Sequence, residues 1–578
     1  MNNQGKFVIT LRSRNGLNVA MLLSCTALAG MAPGAAFAQE AAGTSDLVLP
    51  SLTIQGQVGD DDRNSIIARQ TTAGGKLASE ILDTPASISV VTAKDIERRD
   101  VETTEEVLQY TSGVVTDYYG PDKRFDDFKI RGLDAFTYRD GMGIGRPFLS
   151  VREEPYAFER IEVLKGANST AFGLGDPGGS VNYVTKTPKS EKFGEAYITG
   201  GSFNRAEIGA DFGDNLTVDD MISYRLTGKL RLSDQEWDYS RDDEAFFMGG
   251  VTWRPSEATN LTVVYDHLSR DGSPNSSGHP VGTDFDRDVF FGEPDFNSAE
   301  LDRDTVTVKF NHDFGSGLTF SSNARYSRGN SEYGYAYISG PVTAPSTAAR
   351  DFVADDSSRE NFIINGNLQY DTSFGDIESR TLVGLEYSDD HSTGLSYYGA
   401  APAIDWDDPV YSGAPGSLPL YADSIYDANG TGIYLQQELT FSERVIATVG
   451  VRNDWISLEQ TNNPNAFSAT TTTFGDDFSE FTKRAALTYK WTPEISTFVS
   501  YAESAVPAAP FGTADATLEP ERGDQWEVGV KYQPEAFPGL FTASLFDLSK
   551  TNITVPSLAN PLVPETVGEV RVRGLDLE

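Results

Sequence analysis

Cysteine and histidine are scarce in this chain of 578 residues, which has one cysteine and four histidines. Transition-metal sites in proteins rely heavily on these two side chains, so a metal centre built from protein ligands is not expected. Basic residues are also few, since 46 lysines and arginines stand against 85 aspartates and glutamates, a formal net charge of -39. Nucleic-acid binding requires a dense basic surface to neutralise phosphates. A nucleic-acid partner is therefore excluded.

Long apolar runs are missing as well. Beyond residue 40 there is no uninterrupted apolar stretch of about 18 residues, the length that a membrane-spanning helix needs, so a helical membrane protein is excluded. Residues 1–38 have the pattern of a secretory signal: a basic start, an apolar core at 17–32 and an Ala-Phe-Ala cleavage site ending at Ala38. The one cysteine, Cys25, lies inside this signal. The exported protein is therefore expected to contain no disulfide.

Two regions of different composition follow the signal. Residues 39–78 are small, polar and acidic, which predicts a flexible tail. Within this tail, 49–56 is a short β-prone island, either a peptide that adds to a partner's sheet or a stray hydrophobic stretch in a linker. From 79 to 188, short apolar runs alternate with helix signals, including a capping box formed by Thr103 and Glu106. This region predicts a compact α/β domain.

From residue 189 onward the pattern has a period of two. Near the C-terminus, for example, Trp526 and Val528 alternate with Glu527, and Val530 precedes Lys531. Long, even strands with one apolar and one polar face, joined by alternating short turns and long loops, are typical of a transmembrane antiparallel β-barrel. A soluble β-sandwich has a similar alternation and remains an alternative. The export signal and the aromatic residues at strand ends favour the barrel.

One glycine-rich motif, Gly173–Gly178, satisfies the G-x-G-x-x-G spacing. A dinucleotide site needs this motif to open a helix whose N-terminus holds the pyrophosphate. Here the motif leads directly into an apparent strand at 180–185, so a tight turn is predicted instead. The common catalytic spacings for a nucleophile elbow, a zinc protease or a redox dithiol are absent from the sequence. We therefore do not expect an enzyme.

An ordered series of motifs runs through most of the chain. The N-terminal members are Pro85–Thr92, Glu106–Val114, Ile130–Gly132, Tyr138–Gly141, Glu154–Gly166 and Phe172–Lys186. The C-terminal members are Leu518–Tyr532, Thr542–Ile553 and Gly568–Glu578. Together they resemble the plug and late barrel strands of TonB-dependent siderophore receptors of the ferrichrome-receptor type.

This resemblance implies a plug (79–188) folded inside the lumen of a barrel (189–578) in the outer-membrane lipid of a Gram-negative cell. It implies import of a ferric siderophore, in which the chelator supplies the iron ligands and the protein needs no cofactor. It also implies that TonB pulls on a periplasmic TonB box, which would fall in the β-prone island at Leu49, Leu52, Thr53 and Ile54. Haem, cobalamin or oligosaccharide as cargo, and a passive porin-like channel, are the alternatives.

The resemblance further implies a charge latch in which two plug cations, Arg131 and Lys165, face two barrel acids, Glu527 and Asp576. The strand alternation places Glu527 in the lumen. Asp576 shares its parity with Val570 and Val572, which we expect to face outward, so it would point inward only if Gly574 interrupts the alternation. The alternative is that each of these groups is a solvated lumen charge.

For ligand contact, the resemblance directs attention to the outward-facing plug loops. Aromatic faces and guanidinium groups suit a compact, partly anionic chelate. The candidate ligand residues are Tyr119, Arg124, Tyr138, Arg146 and Phe148. The alternative is that these aromatic rings simply pack against the barrel wall.

The barrel segment is short for the family that it resembles. Receptors of this type have 22 strands, whereas 189–578 provides enough residues for roughly 16. We therefore expect an incomplete barrel whose C-terminal strands are missing. A chain with only these strands would leave a backbone edge exposed in lipid, and we expect it to insert poorly.

Overall fold

The computed structural model describes residues 65–118, 124–146, 152–275, 288–343, 346–507, 519–556 and 564–578, except for the side chains of 341–343, 556 and 564–567. The predicted signal and the TonB-box residues lie outside this part of the chain, as do Tyr119 and Phe148. Within it, no helix combines the length and apolarity needed to cross a membrane.

The N-terminal region forms a small two-stranded sheet and a mixed seven-stranded sheet. The seven-stranded sheet has the order β3-β8-β9-β6-β5-β4, with β7 paired to β6, and only β6 and β9 run parallel among its described pairs. The strands are β1 (Gln70–Thr71), β2 (Ser79–Glu80), β3 (Ile88–Thr92), β4 (Val114–Thr116), β5 (Phe128–Ile130), β6 (Leu133–Arg139), β7 (Met142–Gly145), β8 (Phe158–Lys165) and β9 (Gly179–Thr185). The helices are α1 (Ala93–Arg99), α2 (Thr104–Leu108) and α3 (Ser169–Phe172), with a 3₁₀ turn at Pro155–Ala157.

Local sequence signals explain the start of the helices. The Thr103 hydroxyl accepts a hydrogen bond from the backbone N–H of Glu106 at 3.2 Å, which confirms the predicted cap. The Glu106 carboxylate accepts a hydrogen bond from the backbone N–H of Glu102 at 2.7 Å, one residue before the Thr103 N–H that a capping box would use. The motif at Gly173–Gly178 leads into β9 and not into a helix, as predicted.

The core of this N-terminal sheet is shared with the larger sheet that follows it. Ile161 and Tyr183 of β8 and β9 are fully buried, and the Tyr183 ring stacks on Phe158 at 4.9 Å between centroids. The same apolar cluster includes Phe246 and Leu268 of the larger sheet. The two sheets therefore bury apolar surface against each other, which stabilises their association.

The larger sheet has sixteen antiparallel strands in sequential order over the described residues. They are β10 (Phe193–Gly200), β11 (Ala206–Asn215), β12 (Ile222–Leu232), β13 (Asp242–Ser256), β14 (Thr259–Gly272), β15 (Ser298–Gly315), β16 (Leu318–Thr343), β17 (Thr347–Phe374), β18 (Ile377–Asp405), β19 (Leu420–Phe441), β20 (Val445–Asn462), β21 (Thr472–Thr492), β22 (Ile495–Val506), β23 (Glu521–Tyr532), β24 (Phe541–Pro556) and β25 (Pro564–Leu577). The turn between β15 and β16 requires glycine at Gly317, where φ is +81° and a Cβ would lie 2.0 Å from the Asp371 carbonyl oxygen.

The predicted alternation of the large sheet is confirmed. In β23, Trp526 is 58% exposed on the outer face, whereas Glu527 is 2% exposed and faces the N-terminal sheet. Charged side chains of strands between β12 and β25, among them Lys229, Asp266 and Glu527, bond residues of this N-terminal region. The large sheet therefore wraps around it as a barrel wall wraps around a plug.

The side chains of β25 do not face as predicted: the expectation that Val570 and Val572 point outward, and that Asp576 points inward only through a bulge at Gly574, is wrong. This strand pairs with β24 without a register shift from Glu569 to Leu577, so Gly574 does not form a bulge. Val570 and Val572 lie opposite Lys550 and Leu548, which are buried on the inner face of β24. Asp576 faces inward with the same unbroken parity. The outward positions are instead taken by Arg571, Arg573, Leu575 and Leu577, and both arginines bond the Asp547 carboxylate.

Candidate functional site

A cavity of about 1090 Å³ lies between β7 of the plug and the inner faces of β16 to β20. Its floor is formed by plug residues, including Phe136, Tyr138 and Phe172, and its walls by barrel strands. This volume suits a compact ligand of the size that protein pockets usually hold. A ligand in this cavity would contact both the plug and the wall.

One wall of the cavity is aromatic. Strand β16 places Tyr333, Tyr335 and Tyr337 at every second position, so all three share one face of the strand and line the cavity. The guanidinium of Arg124 lies 5.1 Å from the ring centroid of Tyr333 and 4.6 Å from that of Tyr335. These cation–π contacts fix Arg124 against this wall.

The charges in the cavity lining are balanced. Arg359 bonds the Asp390 carboxylate, and Arg452 bonds Asp454 at 2.7 Å and Glu386 at 2.8 Å. The described lining has as many arginines as carboxylates: Arg124, Arg146, Arg359 and Arg452 against Asp355, Glu386, Asp390 and Asp454. The lining thus offers many hydrogen-bonding groups and little net charge.

Three of the residues predicted for ligand contact line this cavity: Arg124, Tyr138 and Arg146. The Tyr138 hydroxyl donates to the Leu174 carbonyl oxygen at 2.9 Å, and the ring is 3% exposed. Arg146 bonds both carboxylate oxygens of Asp176, at 2.7 and 2.9 Å. Tyr138 and Arg146 therefore already form part of a fixed floor. Their role in ligand contact stays a prediction, as do Tyr119 and Phe148.

Sequence reasoning missed the barrel residues of the cavity. The spacing of Tyr333, Tyr335 and Tyr337 was a usable signal, because alternate aromatics on a strand share a face. Arg359 and Arg452 gave no local signal. Their convergence depends on the register of strands that are far apart in the sequence.

Arg131 of the plug connects to the barrel wall as a buried ion pair. Its Nη2 donates to Glu527 at 2.8 Å and to Asp576 at 2.7 Å, and its side chain is fully buried. Its Nη1 donates to Gln525 at 2.8 Å, and the guanidinium lies 3.7 Å from the centroid of the Phe546 ring. The structure thus brings together three of the four residues of the predicted latch.

Lys165, the fourth latch residue, has different partners. Its Nζ donates to Glu578 at 2.7 Å and to the Ser112 hydroxyl at 2.6 Å. The expected arrangement, in which two cations share Glu527 and Asp576, is replaced by two separate contacts. The reason is that Arg131, with its planar guanidinium, engages both acids alone.

The leading segment, residues 65–84, lies against the barrel wall and differs from the predicted flexible tail over its last part. Wall side chains bond its backbone carbonyl oxygens. Lys531 Nζ donates to Ile81 at 2.8 Å and to Thr84 at 2.6 Å, and Ser496 Oγ donates to Leu82 at 2.6 Å. Four further wall side chains act in the same way: Arg380 on Ala78, Arg484 on Gly74, Thr488 on Asp83 and Gln533 on Ala68.

Lys76 connects the leading segment to the cavity. Its Nζ donates to Glu386 at 3.1 Å and to the Gly141 carbonyl oxygen at 2.9 Å. It also lies 5.4 Å from the centroid of Phe172, in the cavity floor. Glu386 and Phe172 both line the cavity, so one buried cation joins the leading segment, the plug and the cavity wall.

The Glu293 carboxylate acts as a clasp between two loops. Glu293 lies in the loop that precedes β15, and its partners Ser412 and Gly413 lie in the loop between β18 and β19. Its carboxylate accepts hydrogen bonds from Ser412 Oγ at 2.6 Å and from the Gly413 N–H at 2.7 Å, and it pairs with Arg350 at 2.6 Å. Burial alone would raise the pKa of Glu293, but the bonds from Ser412, Gly413 and Arg350 outweigh burial and hold its pKa below the ordinary value. The ionised carboxylate therefore favours the clasp.

This clasp is expected to weaken in acid. Because the folded-state pKa is lowered, the stabilisation is complete above the ordinary value of 4.5 and is lost as the pH falls through the folded-state pKa. Pepsin should cut within 406–419 more readily at lower pH, after correction for the enzyme's own pH dependence with the unfolded chain. Glu293→Gln should be cut readily at every pH tested, because glutamine has no carboxylate to ionise. Equal protection of the variant and the parent would contradict the role of this carboxylate.

In the described residues, no group of three or more His, Cys, Asp or Glu is arranged to hold a metal ion.

Residues 80–180 match the family model described as TonB-dependent Receptor Plug Domain, and residues 252–578 match the one described as TonB dependent receptor-like, beta-barrel. The second match alone spans more than half of the chain.

Known proteins agree with these family models. The ferrichrome outer membrane transporter/phage receptor of Escherichia coli (strain K12) is 30% identical over 558 residues, which cover 89% of this chain and 73% of that protein. The ferrioxamine B receptor of Salmonella typhimurium (strain LT2) is 27% identical over 521 residues, covering 87% and 73%. The crystal structure of the siderophore receptor PiuA from Acinetobacter baumannii matches with a TM-score of 0.81 at 23% identity, covering 89% and 79%. The chain therefore belongs to the family of TonB-dependent receptors, outer-membrane transporters that are not enzymes.

Proposed function

We propose that this chain imports a ferric siderophore across the outer membrane, with TonB as its energy-coupling partner. The observation that carries the proposal is the shared cavity, whose floor belongs to the plug and whose walls belong to the barrel. A chelate bound there rests on the element that has to move for transport. Iron is the cargo and arrives already coordinated by its chelator.

In this proposal the chain is divided as the sequence suggests. Residues 1–38 are a signal that is removed, and residues 39–78 form a tail on the periplasmic side. Residues 79–188 form the plug, and residues 189–578 form the wall in the outer-membrane lipid. TonB binds at 49–54, ahead of the leading segment. A pull on that site would be transmitted to the carbonyl contacts of 65–84 and to Lys76. Arg131, Lys165, Glu527 and Asp576 would hold the plug in its resting position.

The balanced lining supports a cargo of low net charge. Burying a strongly anionic chelate would require an excess of cations, since unpaired charge is expensive to remove from water. The described lining has no such excess, and its tyrosines and Arg124 offer aromatic faces and hydrogen-bond donors. An uncharged ferric trihydroxamate fits this lining better than a strongly anionic ferric tris-catecholate.

Uptake of radioactive iron tests the proposal. Cells that lack their own siderophore receptors would express this chain and receive either the ferric trihydroxamate or the ferric tris-catecholate. We expect uptake of the trihydroxamate, and its loss to background when residues 49–54 are deleted while surface binding is kept. An equally long deletion of residues 57–62 is the matched control and should leave uptake intact. Uptake that continues in cells without TonB would instead indicate a passive channel.

A further inference from the structure

A second, much smaller cavity of about 40 Å³ lies between the plug and strands β15 to β17. Four arginines line it: Arg139 from the plug and Arg303, Arg325 and Arg359 from the wall. It adjoins the large cavity, with which it shares Ile144, Gly329, Arg359 and Asn361. Buried guanidinium groups this close together need negative charges nearby to compensate them.

Three of these arginines have carboxylate partners. Arg139 pairs with Asp266 at 2.6 Å, and Arg303 pairs with Glu153 at 2.9 Å and with Asp266 at 3.2 Å. Arg359 pairs with Asp390. One further pair, largely buried, adjoins the group, between Lys309 and Asp140 at 2.7 Å.

Arg325 differs from the other three. It is 3% exposed, and its guanidinium donates to the carbonyl oxygens of Met142 at 3.3 Å and Gly143 at 2.6 Å and to Asn361 Oδ1 at 2.9 Å. All three acceptors are neutral. Within the part of the chain that the structure describes, Arg325 lies within ion-pair distance of no carboxylate. The group therefore contains five cations, Arg139, Arg303, Lys309, Arg325 and Arg359, against four carboxylates, Asp140, Glu153, Asp266 and Asp390.

The lining of this cavity also contains hydrogen-bond donors. The buried Nε–H groups of Arg303 and Arg325 have no acceptor among the described residues. The hydroxyls of Thr305 and Ser327, 3.0 Å apart, belong to two further lining residues. A cavity of this size holds one small ion or a few waters. A buried cation without a counter-charge is strongly destabilising, so a bound anion would offset the excess charge of Arg325.

We propose that this cavity is a binding site for one monovalent inorganic anion of halide size, held by the guanidinium groups of Arg303 and Arg325. The anion neutralises the plug–wall junction directly beside the large cavity. An ionised oxygen of a bound chelate has the same chemistry and is a second source of the charge. This proposal does not depend on the identity of the cargo.

Thermal unfolding of the full chain in detergent tests the site in solution. Sodium chloride would be exchanged for sodium gluconate at constant ionic strength, because gluconate is too large for the cavity. We expect the melting temperature to rise with chloride and to level off, as binding to the folded state alone requires. Arg325→Gln should remove this chloride dependence. Arg328→Gln, which changes an arginine that is 59% exposed in its side chain, should retain it.

Anomalous diffraction from crystals grown with bromide tests the location, and it uses the parent chain in case Arg325→Gln does not fold. A peak beside Arg303 and Arg325 in protein without chelate supports the inorganic anion. A chelate oxygen at Arg325 in the complex, with no bromide peak in its absence, assigns the charge to the cargo and overturns the inorganic site. Equal melting temperatures in chloride and gluconate overturn the proposal, even if a bromide peak is present at crystal concentrations.

Discussion

Arg131→Met is expected to loosen the plug in the barrel. The substitution removes a buried guanidinium that bonds both Glu527 and Asp576 and leaves two carboxylates facing each other without a cation. Breaking a buried ion pair on one side typically costs about 3–5 kcal/mol. Urea unfolding, followed by a fluorophore on Tyr110→Cys at the exposed surface of the plug, should show the plug transition at a markedly lower urea concentration.

The matched control for this prediction is Arg573→Met. Arg573 pairs with Asp547 on the outer face, away from the plug, and Asp547 keeps Arg571 as a partner, so the loss of Arg573 should leave the plug transition nearly unchanged. Combining Arg131→Met with Glu527→Gln and Asp576→Asn removes the repulsion and should restore part of the lost stability. If Arg131→Met and Arg573→Met unfold alike, the buried pair does not hold the plug.

Lys76→Met is expected to release the leading segment locally. Methionine keeps most of the contact with Phe172 and Tyr434, but Glu386 and the Gly141 carbonyl oxygen lose their shared donor. Glu386 keeps Arg452, so the lower end of the range for a broken buried pair applies, about 3 kcal/mol. Amide hydrogen exchange at residues 73–78 should accelerate by roughly a hundredfold, because exchange follows the free energy of local opening.

Lys94→Met provides the comparison for Lys76. Lys94 lies on α1 and forms an exposed pair with Glu97, so its removal should not alter exchange at 73–78. Unchanged exchange in Lys76→Met would mean that the carbonyl contacts hold the leading segment without help from this lysine.

The parts of the fold that depend on local patterns could be predicted from the sequence. The period-two alternation placed Glu527 and Lys531 on the inner face because side-chain direction along a strand is a local property. The cap at Thr103 is equally local, since its hydroxyl reaches only the next turn. The strand pattern and the ordered motifs were therefore sufficient for the barrel, the plug and the family.

The parts that depend on distant pairings could not be predicted. Asp576 faces inward because β25 continues in register with β24. The apolar residues of β25 lie on both faces, Val570 and Val572 on one and Leu575 and Leu577 on the other, so its own pattern does not decide which face is inward. Lys165 has Glu578 as its partner because Arg131 occupies both acids that were assigned to the pair. The composition of 65–78 resembles a linker, yet Ala68, Gly74 and Ala78 are held by side chains that lie hundreds of positions away in the sequence.

Most of the described hydrogen bonds from the wall to the leading segment are accepted by backbone carbonyl oxygens, which every residue type carries. Apart from Lys76 and buried side chains such as Leu77, Ile81 and Leu82, exchanges of side chains within 65–84 should therefore leave these backbone contacts in place. Single changes at Lys531, Ser496 or Arg380 in the wall instead remove donors that the segment cannot replace. In a saturation library scored for retention of the segment, substitutions should be tolerated at the less buried positions of the leading segment and selected against at the wall residues that bond its backbone.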